Sequence, residues 1–190
     1  MLKKLVTKKF LLSVSFALAL HAADLSYWVE PCTHKETGCV AGDVELGRWA
    51  LEAWQNASNG RIHFVAADRD HARLRIVWAM PEEGLYGETV PIEVNGKPGA
   101  QVNVRIVDSG SNDPLLRDTI VYLTCLHESG HALGLAHTRD FADIMYSFQY
   151  GGDIAEYFAR YRRKLARRED IRKNSGLSAG DRARLLEALR

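Results

Sequence analysis

The sequence predicts a mixed α/β fold in a single layered domain, and three observations carry that expectation. A length of 190 residues is about one domain. A composition of 46% apolar and 26% charged residues is ordinary for a globular chain able to bury a core. Amphipathic helical spacing near the start, alternating stretches in the middle and a second helical stretch after them give the order helix, strands, helix. The chain balances 25 Lys and Arg against 24 Asp and Glu, a net charge of +1. That balance gives no field to draw nucleic acid or an acidic membrane. Three cysteines are too few for a disulfide-stapled mini-scaffold.

Residues 1–22 read as a secretory signal. Lys3, Lys4, Lys8 and Lys9 precede an apolar run from Phe10 to Leu20, and His21, Ala22 and Ala23 form a small-residue exit. The apolar run is shorter than the roughly 20 residues needed to span a bilayer, so no stable membrane anchor is expected. The protein is then exported, to the periplasm or the extracellular space. An oxidising compartment favours a bond between Cys32 and Cys39 in a turn-rich stretch, with two free surface thiols as the alternative. Cys125 lies in an apolar helical stretch and reads as an inert buried residue.

After a short segment, 23–42, the main domain is expected over 43–190. Asp43–Ala57 places Val44, Leu46, Trp49, Ala50, Ala53, Trp54 and Ala57 on one helical face, and Asn59-Gly60 ends it. Ile62–Ala66 is a short strand, and 72–78 alternates charged and apolar residues as a half-buried strand does. Residues 84–87 form a turn or a bulged edge, and 101–107 alternates again. Asp113-Pro114, or Asp118, opens a helix running through Gly130 to about Leu133. Ile154, Tyr157, Phe158, Tyr161 and Leu165 recur at three- and four-residue steps, predicting an amphipathic helix over 154–173. Its eight basic residues read as a solvated face or as an exosite for acidic surfaces. Leu177-Ser178 opens a last helix through Leu185, Leu186 and Leu189.

The chemistry concentrates in His127-Glu128-Ser129-Gly130-His131 and the six residues after it, ending at His137. His127 and His131 are i and i+4, so both imidazoles leave one helix face a turn apart. That pair suits tetrahedral zinc with bonds of about 2.0–2.1 Å. Glu128, rotated by about 100° from His127, flanks the metal without having to bind it. Gly134 can take the left-handed conformation that ends the helix and brings His137 round as third ligand. An open fourth position marks a catalytic rather than a structural site. Drawn from this chain's own His, Glu and Gly frequencies, five such positions coincide by chance on the order of 10⁻⁵ to 10⁻⁴ per chain.

These residues resemble the metzincin zinc endopeptidases, whose signature H-E-x-x-H-x-x-G-x-x-H precedes a Met-turn. The Met-turn residue would be Met145, in Asp143-Ile144-Met145-Tyr146. Within metzincins the stretch 137–146 is most similar to matrixins, with Thr138 after the third histidine and Ile-Met-Tyr in the turn. The resemblance is tight over 127–146 and extends in element order from Asp43 to Arg190. It implies a metzincin-like fold with a twisted, mostly parallel sheet, an active-site helix and a closing C-terminal helix.

It further implies a monomeric peptidase that holds zinc on His127, His131 and His137, with Glu128 as general base and Met145 as packing beneath the metal. The edge near Gly84, Leu85, Tyr86 and Gly87 would pair with extended substrate, and Tyr146, Ser147 and Phe148 would wall a pocket. Ser147 stands where the family pattern has Pro, and Glu30-Pro31-Cys32-Thr33 does not match the family's cysteine switch. The family's second zinc site has no evident match: Asp68, Asp70 and His71 read as a solvated turn. The 108–113 loop offers oxygens to Ca²⁺ but fails the usual loop spacing, so it reads as a plain turn. Two other functions share these features: a zinc-bearing interaction module without catalysis, and a zinc hydrolase of another substrate.

Overall fold

The computed structural model describes residues 23–82, 86–107 and 110–190. The signal-like segment 1–22 lies outside the described residues, as do Gly84, Leu85 and Asp108. Five strands form one sheet in the order β2-β1-β3-β5-β4. They are β1 (Ala23–Val29), β2 (Ile62–Ala66), β3 (Leu74–Ala79), β4 (Gly87–Val94) and β5 (Lys97–Arg105). All neighbours run parallel except β4, which is antiparallel to β5 at one edge. The main helices are α1 (Asp43–Ala57), α2 (Pro114–Ala132) and α3 (Ile154–Arg162). The short α4 (Asp170–Lys173) and the closing α5 (Ala179–Ala188) follow. The expected mixed α/β class and mostly parallel sheet are present.

Strand alternation sorts side chains between core and outer face. In β3, Leu74, Ile76 and Trp78 are buried while Arg75, Val77 and Ala79 alternate with them. The buried set joins Val102 and Val104 of β5 and the apolar faces of α1 and α2 in one core. Trp54 of α1 is fully buried, and its indole N–H donates to the Leu126 carbonyl of α2 at 2.9 Å. Asp43 at the start of α1 is also buried, held by both terminal nitrogens of Arg117 at 2.8 Å. A buried carboxylate needs such a partner, and this pair locks α1 to α2.

Several expectations change. Residues 23–29, placed with the leading segment, are a strand lying between β2 and β3. The edge expected at 84–87 begins a strand at Gly87 that turns back at Asn95-Gly96, both at positive φ, into β5. The helix expected over 154–173 ends at Arg162, although Leu165 is still buried beyond it. Beyond Arg162 the Lys164 and Leu165 N–H groups close tighter turns onto Tyr161 and Arg162, and the Asp170 carboxylate accepts the Ala166 and Arg167 N–H groups.

The arginines of that stretch have partners within the fold. Arg162 pairs with Asp113 at 2.8 Å and Arg163 with Glu156 at 2.5 Å. Arg168 reaches Glu45 and Asp118 at 2.5 and 3.0 Å, and Arg172 reaches Glu52 at 2.8 Å. Arg160 lies over the rings of Phe141 and Tyr157. Arg162, Arg168 and Arg172 thereby tie the stretch to α1 and α2, while the side chains of Arg163, Arg167 and Arg172 stay more than half exposed. No helix among the described residues is long and apolar enough to cross a membrane.

Candidate metal centre

Helix α2 delivers the first two histidines because its start and end are both specified. Asp113 caps it, accepting the Leu115 N–H at 3.0 Å, and Pro114 follows at the first helical position. At the other end Gly134 has φ +88°, and the Leu135 N–H closes back onto the Gly130 carbonyl at 3.0 Å. That reversal brings His137 to the pair. The His137 Nε2 lies 3.2 Å from His127 Nε2 and 3.1 Å from His131 Nε2.

The remaining ring nitrogens decide what the cluster can hold. His127 Nδ1 donates to the Ile144 carbonyl at 2.7 Å, and His131 Nδ1 donates to the Leu135 carbonyl at 2.8 Å. Each imidazole therefore carries its proton on Nδ1 and turns a bare Nε2 lone pair toward the centre. Burial pushes the His127 pKa down to about 4, and burial also lowers that of His137. The Nε2 atoms of His127 and His131 thus face His137 Nε2 with their lone pairs, an arrangement that a shared proton or a cation between the rings satisfies. Ligands bound tetrahedrally at about 2.0–2.1 Å are separated by roughly 3.3 Å, close to the spacings here. The three histidines thus fit a small divalent ion, with the chemistry of a nitrogen-only ligand set favouring zinc or a similar transition metal.

Among the described residues one other group has metal-ligand spacing, formed by Cys32, Cys39 and Asp43. Cys32 and Cys39 are joined as a disulfide, so neither sulfur is a thiolate, and Cys32 is not available to block the centre. Asp68 is spent on its own turn, accepting from the Asp70 N–H and the His71 ring. Asp113, expected in a loop that offers oxygens to calcium, is spent on the α2 cap and Arg162.

Glu128 is buried beside the triad. The Thr89 hydroxyl lies 2.8 Å from both its Oε2 and its main-chain carbonyl, so one proton serves either acceptor. Burial raises the Glu128 pKa, and the Thr89 bond acts against that rise. Strand β4 approaches closely here because Gly87 has no side chain: a Cβ there would meet Glu128 Cγ at 2.8 Å and Thr124 Cγ2 at 2.9 Å. The Arg105 N–H donates to the Tyr86 carbonyl, so by antiparallel alternation the main-chain groups of Gly87, Thr89 and Pro91 face away from β5. The N–H that Pro91 lacks falls on that free edge, where the ladder does not need it.

Behind the metal position, Met145 is fully buried against α2. A Cβ on Gly130 would overlap Met145 Sδ and come within 3.0 Å of Trp54 Cζ2. The Met-turn is fixed by Tyr146 N–H donating to the Asp143 carbonyl and by Asp181 of α5, which accepts the Ile144 and Met145 N–H groups. Tyr86, Gly87, Tyr146, Ser147 and Phe148 all line one cleft of about 800 Å³ with the triad and Glu128. Leu123, Ile154, Tyr157 and Phe158 give it an apolar floor, and the Tyr86 and Phe158 rings lie 5.3 Å apart.

Thr89, Gly130, Asp181 and the α3 aromatics are site residues that the motif does not name. Gly130 alone stood inside it, as a glycine in a helix interior where glycine is unfavourable. No protein-family model matches the chain, and no curated protein matches it.

Proposed function

We propose that the chain is an exported zinc endopeptidase of the matrixin type, with a metzincin-like catalytic domain. The observation that carries this reading is the convergence of three imidazole Nε2 atoms beside a buried carboxylate at a free strand edge. The family assignment is supported by the motif over 127–137, by Met145 packed beneath α2 and by a closing helix anchored to the Met-turn. The disulfide accords with export.

In this reading His127, His131 and His137 hold the metal. Bound zinc supplies a Lewis acid for the scissile carbonyl and lowers the pKa of water toward about 7. Glu128 takes a proton from the attacking water as the new C–O bond forms. It delivers that proton to the amine nitrogen as the C–N bond breaks, so the carboxylate is regenerated. The Thr89 hydroxyl holds the carboxylate in place and favours its ionised form. Extended substrate pairs with the outward main-chain groups of Gly87 and Thr89. One of its side chains enters the apolar cleft between Tyr146, Phe148 and α3.

The test is cleavage of casein or a mixed peptide pool, first alone, then with a chelator, then with zinc restored. Cleavage that the chelator abolishes and zinc recovers is expected. Zinc bound without hydrolysis of any peptide would instead favour an interaction module or a hydrolase of another substrate.

A further inference from the structure

The Met-turn lies between a triad histidine and a buried carboxylate. His127 Nδ1 donates to the Ile144 carbonyl at 2.7 Å. The same peptide group ends in the Met145 N–H, which faces Asp181 Oδ1 at 3.4 Å. The preceding peptide group gives its Ile144 N–H to Asp181 Oδ2 at 2.8 Å. Asp181 is fully buried, and the Ser178 N–H and the Arg184 guanidinium complete its shell. Tyr157 of α3 adds a hydroxyl 3.2 Å from the Ile144 carbonyl and 3.1 Å from that of Asp143.

A negative charge at the N–H end of a peptide group pushes electron density toward its carbonyl oxygen. That oxygen then accepts more strongly from His127 Nδ1, and the opposite nitrogen, Nε2, becomes the better electron donor. Burial keeps solvent from screening the effect.

We propose that Asp181 is a positioning residue for the triad, acting on His127 through the Ile144–Met145 peptide group. The closing helix would then tune metal affinity as well as cover the core. This rests on reading the triad as a metal centre and is independent of what the protein cleaves.

The experiment is zinc affinity of the metal-stripped full chain, measured by competition with a chromogenic chelator, alongside thermal unfolding. Asp181→Asn removes the charge at nearly constant volume and is expected to weaken zinc binding by at least about tenfold, as lost outer-shell partners do. Ser178→Ala opens the same helix cap and lowers stability, but leaves the carboxylate facing both peptide groups. Its zinc affinity is expected to stay within about threefold of the parent's.

If the two variants lose stability alike and Asp181→Asn keeps the parent's zinc affinity, Asp181 is only a tether and the proposal fails. Should Asp181→Asn not fold, Arg184→Gln decides, because Arg184 is more than a third exposed and its place can rehydrate. Removing the cation that Asp181 shares with Asp143 changes the charge acting on the peptide group, so zinc affinity should move by more than in Ser178→Ala; affinity within about threefold of the parent's would overturn the relay. Tight zinc binding without peptide cleavage would count against the peptidase reading and leave this inference standing. A parent chain that binds no zinc would overturn both.

Discussion

The two largest influences on the protonation of Glu128 oppose each other. Burial favours the neutral acid, and the Thr89 hydroxyl favours the carboxylate. A general base works only when ionised, so peptide hydrolysis should fall away as pH drops through the Glu128 pKa. Thr89→Val keeps the side-chain shape but removes the bond to the charged form, which raises that pKa. The acidic limb of kcat/KM against pH should therefore move to higher pH, with the rate on the plateau much less affected. An unmoved limb would show that Thr89 does not act on Glu128. The triad and Glu128 were legible in the sequence because the helical repeat alone sets their relation. Thr89 was not, since it meets Glu128 across 39 residues of chain through strand placement that no local pattern encodes.

At the scale of elements, the packing of α2 on the Met-turn depends on Gly130. Alanine in a helix interior is favoured over glycine by about 1 kcal/mol. Here its methyl group would run into Met145 and Trp54, and overpacking of that kind costs typically about 1–3 kcal/mol. The clash should win, so Gly130→Ala is expected to lower stability in denaturant unfolding and to reduce zinc retention. A more stable variant would show that Met145 moves aside freely. Strongly periodic segments were readable: α1, β2, β3 and α2 fall close to where their apolar spacing puts them. β4 was hidden by Pro91, which reads as a strand breaker unless the free edge is known. The apolar period over 154–173 overstates the helix, which ends at Arg162. Leu165 continues the apolar period into a turn, where it is buried by tertiary packing rather than by helix geometry.

For the whole molecule, a near-neutral chain pairs much of its basic stretch with acidic groups of α1, α2 and α3, partly at the surface. The disulfide belongs to the same scale, because it fixes the loop that leads from the sheet into α1. Mass spectrometry of unreduced digests should find Cys32 joined to Cys39, with Cys125 as a thiol that resists alkylation until the chain unfolds. Burial explains that inertness, since it raises the Cys125 pKa far above its usual value. Reduction should cost about 2 kcal/mol, the amount expected for so small a loop, and an unchanged unfolding midpoint would contradict it. The central claim joins a metal held by three histidines to a base that does not hold it. It is tested most directly by measuring zinc content and peptide hydrolysis on the same preparations of the parent and Glu128→Ala. The account predicts about one zinc ion per chain in both, with hydrolysis in the variant lower by about 10²–10⁴ or more. A zinc-loaded variant that keeps most of the parent's hydrolysis would contradict it.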